Sequence, residues 1–228
     1  MENQPTETLT AKGKQTRQHI LDTAIALFVE KGYEATTMRD IAAAAGCSLG
    51  LAYRYFARKE ELVLALYKNF SEESEQYIYQ MPIAPLAERF YQAMEYKFGQ
   101  LQPYREMMGA MFGAMMNPNS GVAILGSSTG DIRDRSLDAF KLIVTGAKDA
   151  PKEPSATHLA TLFYSGHLLM VLFWLYDRTP EQRASYELLR LTRDTLRLVR
   201  PALVLPPIAR TLARLASILE PVFAGGTK

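Results

Sequence analysis

The sequence predicts an all-α fold. Apolar residues recur at intervals of three and four through nearly its whole length, as on the buried stripe of a helix. No alternating β-branched run is long enough for a strand, and no internal period repeats. Proline and glycine clusters cut the chain into helix-length pieces. With 228 residues, 48% apolar and 22% charged, the chain can bury a sizeable core, and wholesale disorder is excluded.

Taken in order, residues 1–15 are polar, contain Pro5 and Gly13, and predict a mobile arm. From Thr16 the positions Ile20, Ala24, Leu27 and Phe28 mark a helix that Lys31-Gly32 closes. Thr37 offers an N-cap oxygen with Asp40 three residues on, which predicts a short helix from Met38 to Ala45. Gly46 ends it, and Ser48 opens another to about Phe56. Lys59 to about Tyr79 is a long helix, stopped before Pro82. Pro85 and Pro103 open helices to about Gln100 and Met116. Two loops, Asn117–Gly121 and Gly126–Gly130, flank a stretch too short to classify, and a helix then runs from about Asp131 to Ala147. After a proline-containing break come Ser155–Tyr176 and Pro180–Val199, and Pro206-Pro207 begins a last helix to about Phe223. The strongly apolar segment 159–176 is interrupted by Thr161, Ser165 and His167 and falls short of about 20 continuous apolar residues, so it reads as a buried helix and no membrane is expected.

Charge is unevenly spread. Residues 11–59 carry a net +4, residues 60–177 a net −5, and the tail from Arg178 a net +5, a hint of a polyanionic partner at one end. The single cysteine, Cys47, leaves no internal disulfide framework, reads as a small buried filler, and with no visible secretory signal suggests a cytoplasmic setting. Three histidines without metal-ligand spacing, and no nucleophile elbow, Walker loop or dinucleotide fingerprint, predict no enzyme, no metal and no cofactor.

The informative stretch is Thr36 to Leu62, where two short helices around a glycine turn have the spacing of a helix-turn-helix. In that motif the second helix enters the major groove of DNA. Thr36-Thr37-Met38-Arg39-Asp40-Ile41-Ala42, Ala45-Gly46-Cys47-Ser48, Tyr53-Arg54-Tyr55-Phe56 and Lys59-Glu60-Glu61-Leu62 resemble the tetracycline-repressor-like (TetR) family of transcriptional regulators. The close match covers about residues 16–66, with Ile20 to Tyr33 similar to the family's first helix.

The resemblance implies a DNA-binding domain over 16–56 and a helical regulatory and dimerisation domain over 57–224. It implies that Thr37, Tyr53, Tyr55 and Lys59 meet phosphates, Lys59 as a neutralising charge, and that Gly50 lets the helix approach the groove. Ser48, Leu49, Leu51 and Arg54 are then the candidates for base edges; Leu51 and Arg54 depart from the family's usual residues, so the operator does not transfer from relatives. The implied protein is a repressor released from a palindromic operator by a small, largely apolar ligand. The alternative is an all-α enzyme or lipid-binding module with a vestigial helix-turn-helix.

Two further sets of candidates lie downstream. Met107, Met111 and Met115 surround Phe112, with Met94 and Phe98 near in sequence, and methionine suits an adaptable apolar pocket. Tyr164 and His167, on a shared helix face, add a polar handle; core packing accounts for the same residues equally well. The resemblance places a four-helix dimer interface on helices 155–177 and 180–200, with Leu168, Leu172 and Leu175 on the first and Leu188 and Leu191 on the second.

Overall fold

The computed structural model describes residues 10–223, and among them ten α-helices and no strand. They form two compact units that part between Leu66 and Tyr67, ten residues beyond the expected boundary at 56/57. The difference arises because the fourth helix, α4 (Lys59–Gln80), contributes its buried first turns, Leu62, Val63 and Leu66, to the N-terminal unit.

That unit begins with α1 (Ala11–Lys31). Residues 11–15 of the expected arm are therefore helical, and residues 1–9 lie outside the described residues. Thr10 explains the correction: its hydroxyl oxygen accepts from Gly13 N at 3.2 Å, a cap that the polar composition hid. A single glycine inside the helix costs only about 1 kcal/mol. Helices α2 (Met38–Ala44) and α3 (Leu49–Tyr55) follow, and Ile20, Leu21, Phe28, Ile41 and Phe56 are fully buried. Gly32, at φ 86°, reverses the chain after α1, a conformation costly for any residue with a Cβ.

The second unit holds the rest of α4 with α5 (Leu86–Leu101), α6 (Arg105–Met116), α7 (Gly130–Thr145), α8 (Ser155–Tyr176), α9 (Arg183–Val199) and α10 (Pro206–Phe223). Helix α5 packs along α9, while α7 and α10 flank α8. Helix α9 starts three residues later than Pro180 suggested, because Glu181 and Gln182 take left-handed conformations (φ 54° and 52°). The turn is organised by buried Asp177. Its carboxylate accepts from Thr179 N and Oγ1 (2.9 and 2.7 Å) and from Ser185 N and Oγ (2.8 and 2.7 Å).

Three arginines satisfy helix C-termini, whose last carbonyls lack intrahelical donors. Buried Arg89 donates to Ile143 and Leu142 at the end of α7, and to Met81 and Pro82 in the α4–α5 turn. Arg105 donates to Trp174, Leu175 and Asp177 at the end of α8. Buried Arg133 donates to Phe223 at the end of α10 and to Gly126. By length and composition α8 could cross a membrane, yet its core side, with Phe163, His167, Met170 and Trp174, is buried inside the unit.

Candidate functional site

In the N-terminal unit, α2 opens with a complete capping box. Asp40 N donates to Thr37 Oγ1 (3.2 Å), and Asp40 Oδ2 accepts from Thr37 N (2.9 Å) and Oγ1 (2.6 Å). The Thr37 hydroxyl bond, then the amide bond, hold the Asp40 carboxyl below its usual range. The turn passes through Gly46 at φ 61°, with Cys47 half-buried, to Ser48, whose hydroxyl accepts from Leu51 N at 3.1 Å.

Helix α3 commits little of itself to the unit's core. Ala52 is its one fully buried residue; Gly50, Tyr53 and Arg54 are exposed, as is Ser48 before it, and Leu49, Leu51 and Tyr55 are half-buried. A Cβ built on Gly50 would meet nothing within 4 Å, so no neighbour in the protein demands glycine there. Seven turn and helix residues thus present a two-turn surface of hydroxyl, aliphatic, phenol and guanidinium groups.

Lys59 departs from the expectation. Its ammonium donates to the carbonyls of Tyr33 (2.6 Å) and Thr36 (3.1 Å) and lies over the Tyr33 ring. It ties the α1–α2 loop to the start of α4 instead of standing free to neutralise a phosphate. Nothing in the sequence signals this, because the partners are backbone carbonyls 23 and 26 residues away.

The second unit contains a cavity of about 520 Å³, within the usual range for small-molecule sites. Phe112 and Met115 of α6 and Tyr164 and His167 of α8 line it, as the sequence suggested. Met94, Phe98, Met107 and Met111 do not; each is at most 2% exposed and packs in the core. Phe98 stacks on Trp174, which accounts for its burial without a ligand. The walls come instead from residues the sequence reading assigned elsewhere. Leu168, Leu172 and Leu175, expected at a dimer interface, face the cavity, and Leu219, Val222 and Phe223 of α10 close one side. The reason is that α8 is apolar all round, so hydropathy does not reveal which face meets which neighbour. Of the α9 pair, Leu188 is half-buried and Leu191 is 63% exposed.

The cavity floor is polar at a few points. His167 Nδ1–H donates to the Tyr164 carbonyl, leaving Nε2 as an acceptor. Burial, reinforced by Lys97, depresses the imidazole pKa to about 3, so the ring is neutral near pH 7. Burial raises the Tyr164 phenol to about 12. Lys97 of α5, Tyr67 and Ser71 of α4, Thr129, Arg133 and Ser136 at and within α7, and Ser165 of α8 complete the polar lining, which holds no carboxylate. Among the described residues no three His, Cys, Asp or Glu side chains gather to hold a metal ion.

A short helix, a glycine turn and an exposed second helix define a helix-turn-helix domain, followed by a helical unit enclosing a cavity. Residues 20–66 match the family model described as bacterial regulatory proteins, tetR family. The HTH-type transcriptional repressor KstR2 of Mycobacterium tuberculosis is 48% identical over 54 residues, 24% of this chain and 27% of that repressor. The HTH-type transcriptional regulator AcrR of Shigella flexneri is 35% identical over 80 residues, 33% of this chain and 37% of that regulator. The matches thus span about a quarter to a third of these curated relatives. Two crystal structures share the fold over most of the chain. A tetR-family regulator from Streptomyces coelicolor has a TM-score of 0.59 at 21% identity, covering 90% of both chains. A regulator described as putatively of that family, from Syntrophomonas wolfei, has a TM-score of 0.62 at 23% identity, covering 80% of this chain and 95% of its own.

Proposed function

We propose that the protein is a sequence-specific DNA-binding transcriptional repressor, cytoplasmic and homodimeric, released from a palindromic operator by a small, largely apolar ligand. The observation that carries this reading is the free surface of α3, with Ala52 alone buried and Tyr53 and Arg54 exposed within a TetR-family domain. Tyr53 and Tyr55 are suited to phosphates, and Ser48, Leu49, Leu51 and Arg54 to base edges; Thr37, expected at a phosphate, gives both its amide and its hydroxyl hydrogen to the Asp40 carboxylate instead. The cavity supports ligand control, and structures of similar fold hold stearoyl-CoA in one case and imidazole in another.

For assembly, the proposed face is the outer side of α8 with α10, in place of α8 with α9. Phe173 and Tyr176 on α8, and Leu215 and Ile218 on α10, are large apolar residues left exposed on two adjacent helices, and exposed Leu169 also lines the cavity. A two-fold axis there would bury both sets, and two copies of a helix-turn-helix domain suit a palindromic site. The enzyme alternative finds no support among the relatives, which are transcriptional regulators. Selection of bound fragments from random DNA tests the proposal: one enriched, partly palindromic sequence is expected, and the absence of any enriched sequence overturns it.

A further inference from the structure

We propose that the cavity of the second unit takes an amphipathic carboxylate, an apolar body bearing one negative headgroup, and that Lys97 is its anchor. The inference rests on the ligand-controlled reading above and names the chemistry of the ligand. It starts from a contrast among the cations of this unit. Arg89, Arg105 and Arg133 are each spent on backbone carbonyls at helix ends. Lys97 has no such employment: among the described residues its ammonium makes no hydrogen bond and no ion pair, and it lines a mainly apolar cavity.

Lys97 is half-buried, and partial desolvation beside apolar neighbours pushes its ammonium down to about 8. Methionine would fill the same wall without that desolvation. The surroundings supply what an anion needs and nothing that repels it. The Ser71 hydroxyl of α4 lines the same region, 3.4 Å from that of Ser136 on α7, whose own hydrogen goes to the Ile132 carbonyl, and His167 on α8 is neutral. No Asp or Glu lines the cavity to neutralise the lysine internally. Arg133 gives its Nε and one terminal nitrogen to carbonyls, whereas the whole Lys97 ammonium is uncommitted. A single carboxylate is the simplest anion that this ammonium can pair with. The remaining walls, Leu168, Leu172, Met108 and Leu219 among them, are aliphatic and suit a hydrocarbon body.

The test compares decanoate, decanol and decylamine, each below its aggregation concentration, by displacement of a neutral fluorescent dye and by calorimetry. In the wild-type protein decanoate is expected to bind one per chain and about tenfold or more tighter than decanol, with decylamine weakest. Lys97→Met is expected to melt at or above the wild-type temperature, to keep decanol binding and to lose the preference for decanoate. Equal binding of decanoate and decanol, a preference that survives in Lys97→Met, binding at many sites per chain, or no binding by any of the three each overturns the proposal. Release of the selected DNA fragment is scored separately. Lys97-dependent binding of decanoate without DNA release would keep the anchor and remove the regulatory reading. DNA release by apolar compounds regardless of headgroup would do the reverse.

Discussion

Lys59 Nζ lies 2.6 Å from the Tyr33 carbonyl oxygen and 4.1 Å from the centroid of the same residue's ring. One side chain thereby fixes both the backbone and the aromatic face of the loop that leads into α2. Lys59→Ala is expected to destabilise the protein by about 1–3 kcal/mol, because it strands two part-buried carbonyls. Thermal or urea unfolding of the variant measures this. An unchanged midpoint, with a salt dependence of DNA binding flattened by about one charge, would return Lys59 to the phosphate role.

Arg54 is exposed at the end of α3 and makes no ion pair among the described residues. Arg54→Ala is expected to cost about 1–3 kcal/mol on the preferred site and to relax one symmetric pair of base positions. Binding to a panel of single-base variants reads this out. A loss uniform across the panel would make Arg54 a phosphate contact.

The two sides of α8 are separable by substitution. Phe173→Glu combined with Ile218→Glu is expected to yield folded monomers by analytical ultracentrifugation. Leu172→Glu, on the cavity side, is expected to remain dimeric while weakening ligand binding tenfold or more. A monomeric Leu172→Glu together with a dimeric double variant would move the interface back to the cavity side.

Acid should weaken the protein in two stages. His167 titrates near 6.5 when unfolded and at about 3 when folded, so only the unfolded chain takes up a proton between these values. Stability is therefore full above about pH 6.5 and falls toward pH 3, by at most about 1.4 kcal/mol per pH unit from this residue. Burial alone would raise Asp177, but the bonds from Thr179 and Ser185 outweigh it and hold the carboxyl at about 2, so its contribution is lost below about pH 3.8. Denaturant titrations across pH 3–7 are expected to show a shallower slope for His167→Gln than for the wild type.

The helices were legible because capping and breaking are local. Thr37 with Asp40, Ser48, Pro85 before α5 and Pro206-Pro207 at the start of α10 announce their helices within four residues. The long-range roles were not. Met94 and Met115 look alike in sequence, yet one packs in the core and the other lines the cavity. Leu168 and Leu169 are adjacent and equally apolar and both border the cavity, yet Leu168 is half-buried and Leu169 is 67% exposed. The arginine caps and Lys59 act on backbone carbonyls, which carry no sequence signature at all.

The unpaired Lys97 on its apolar wall also has a calorimetric consequence. In the empty cavity above about pH 8 the amine is largely unprotonated. Of its titratable neighbours along the cavity, His167 stays neutral, and Tyr164 keeps its proton to about 12. A carboxylate arriving there restores the ammonium, so each anion bound at pH 9 should draw close to one proton from the buffer. Heats of binding measured in buffers of different ionisation enthalpy would then diverge at pH 9 and converge at pH 6, and Lys97→Met would abolish the divergence.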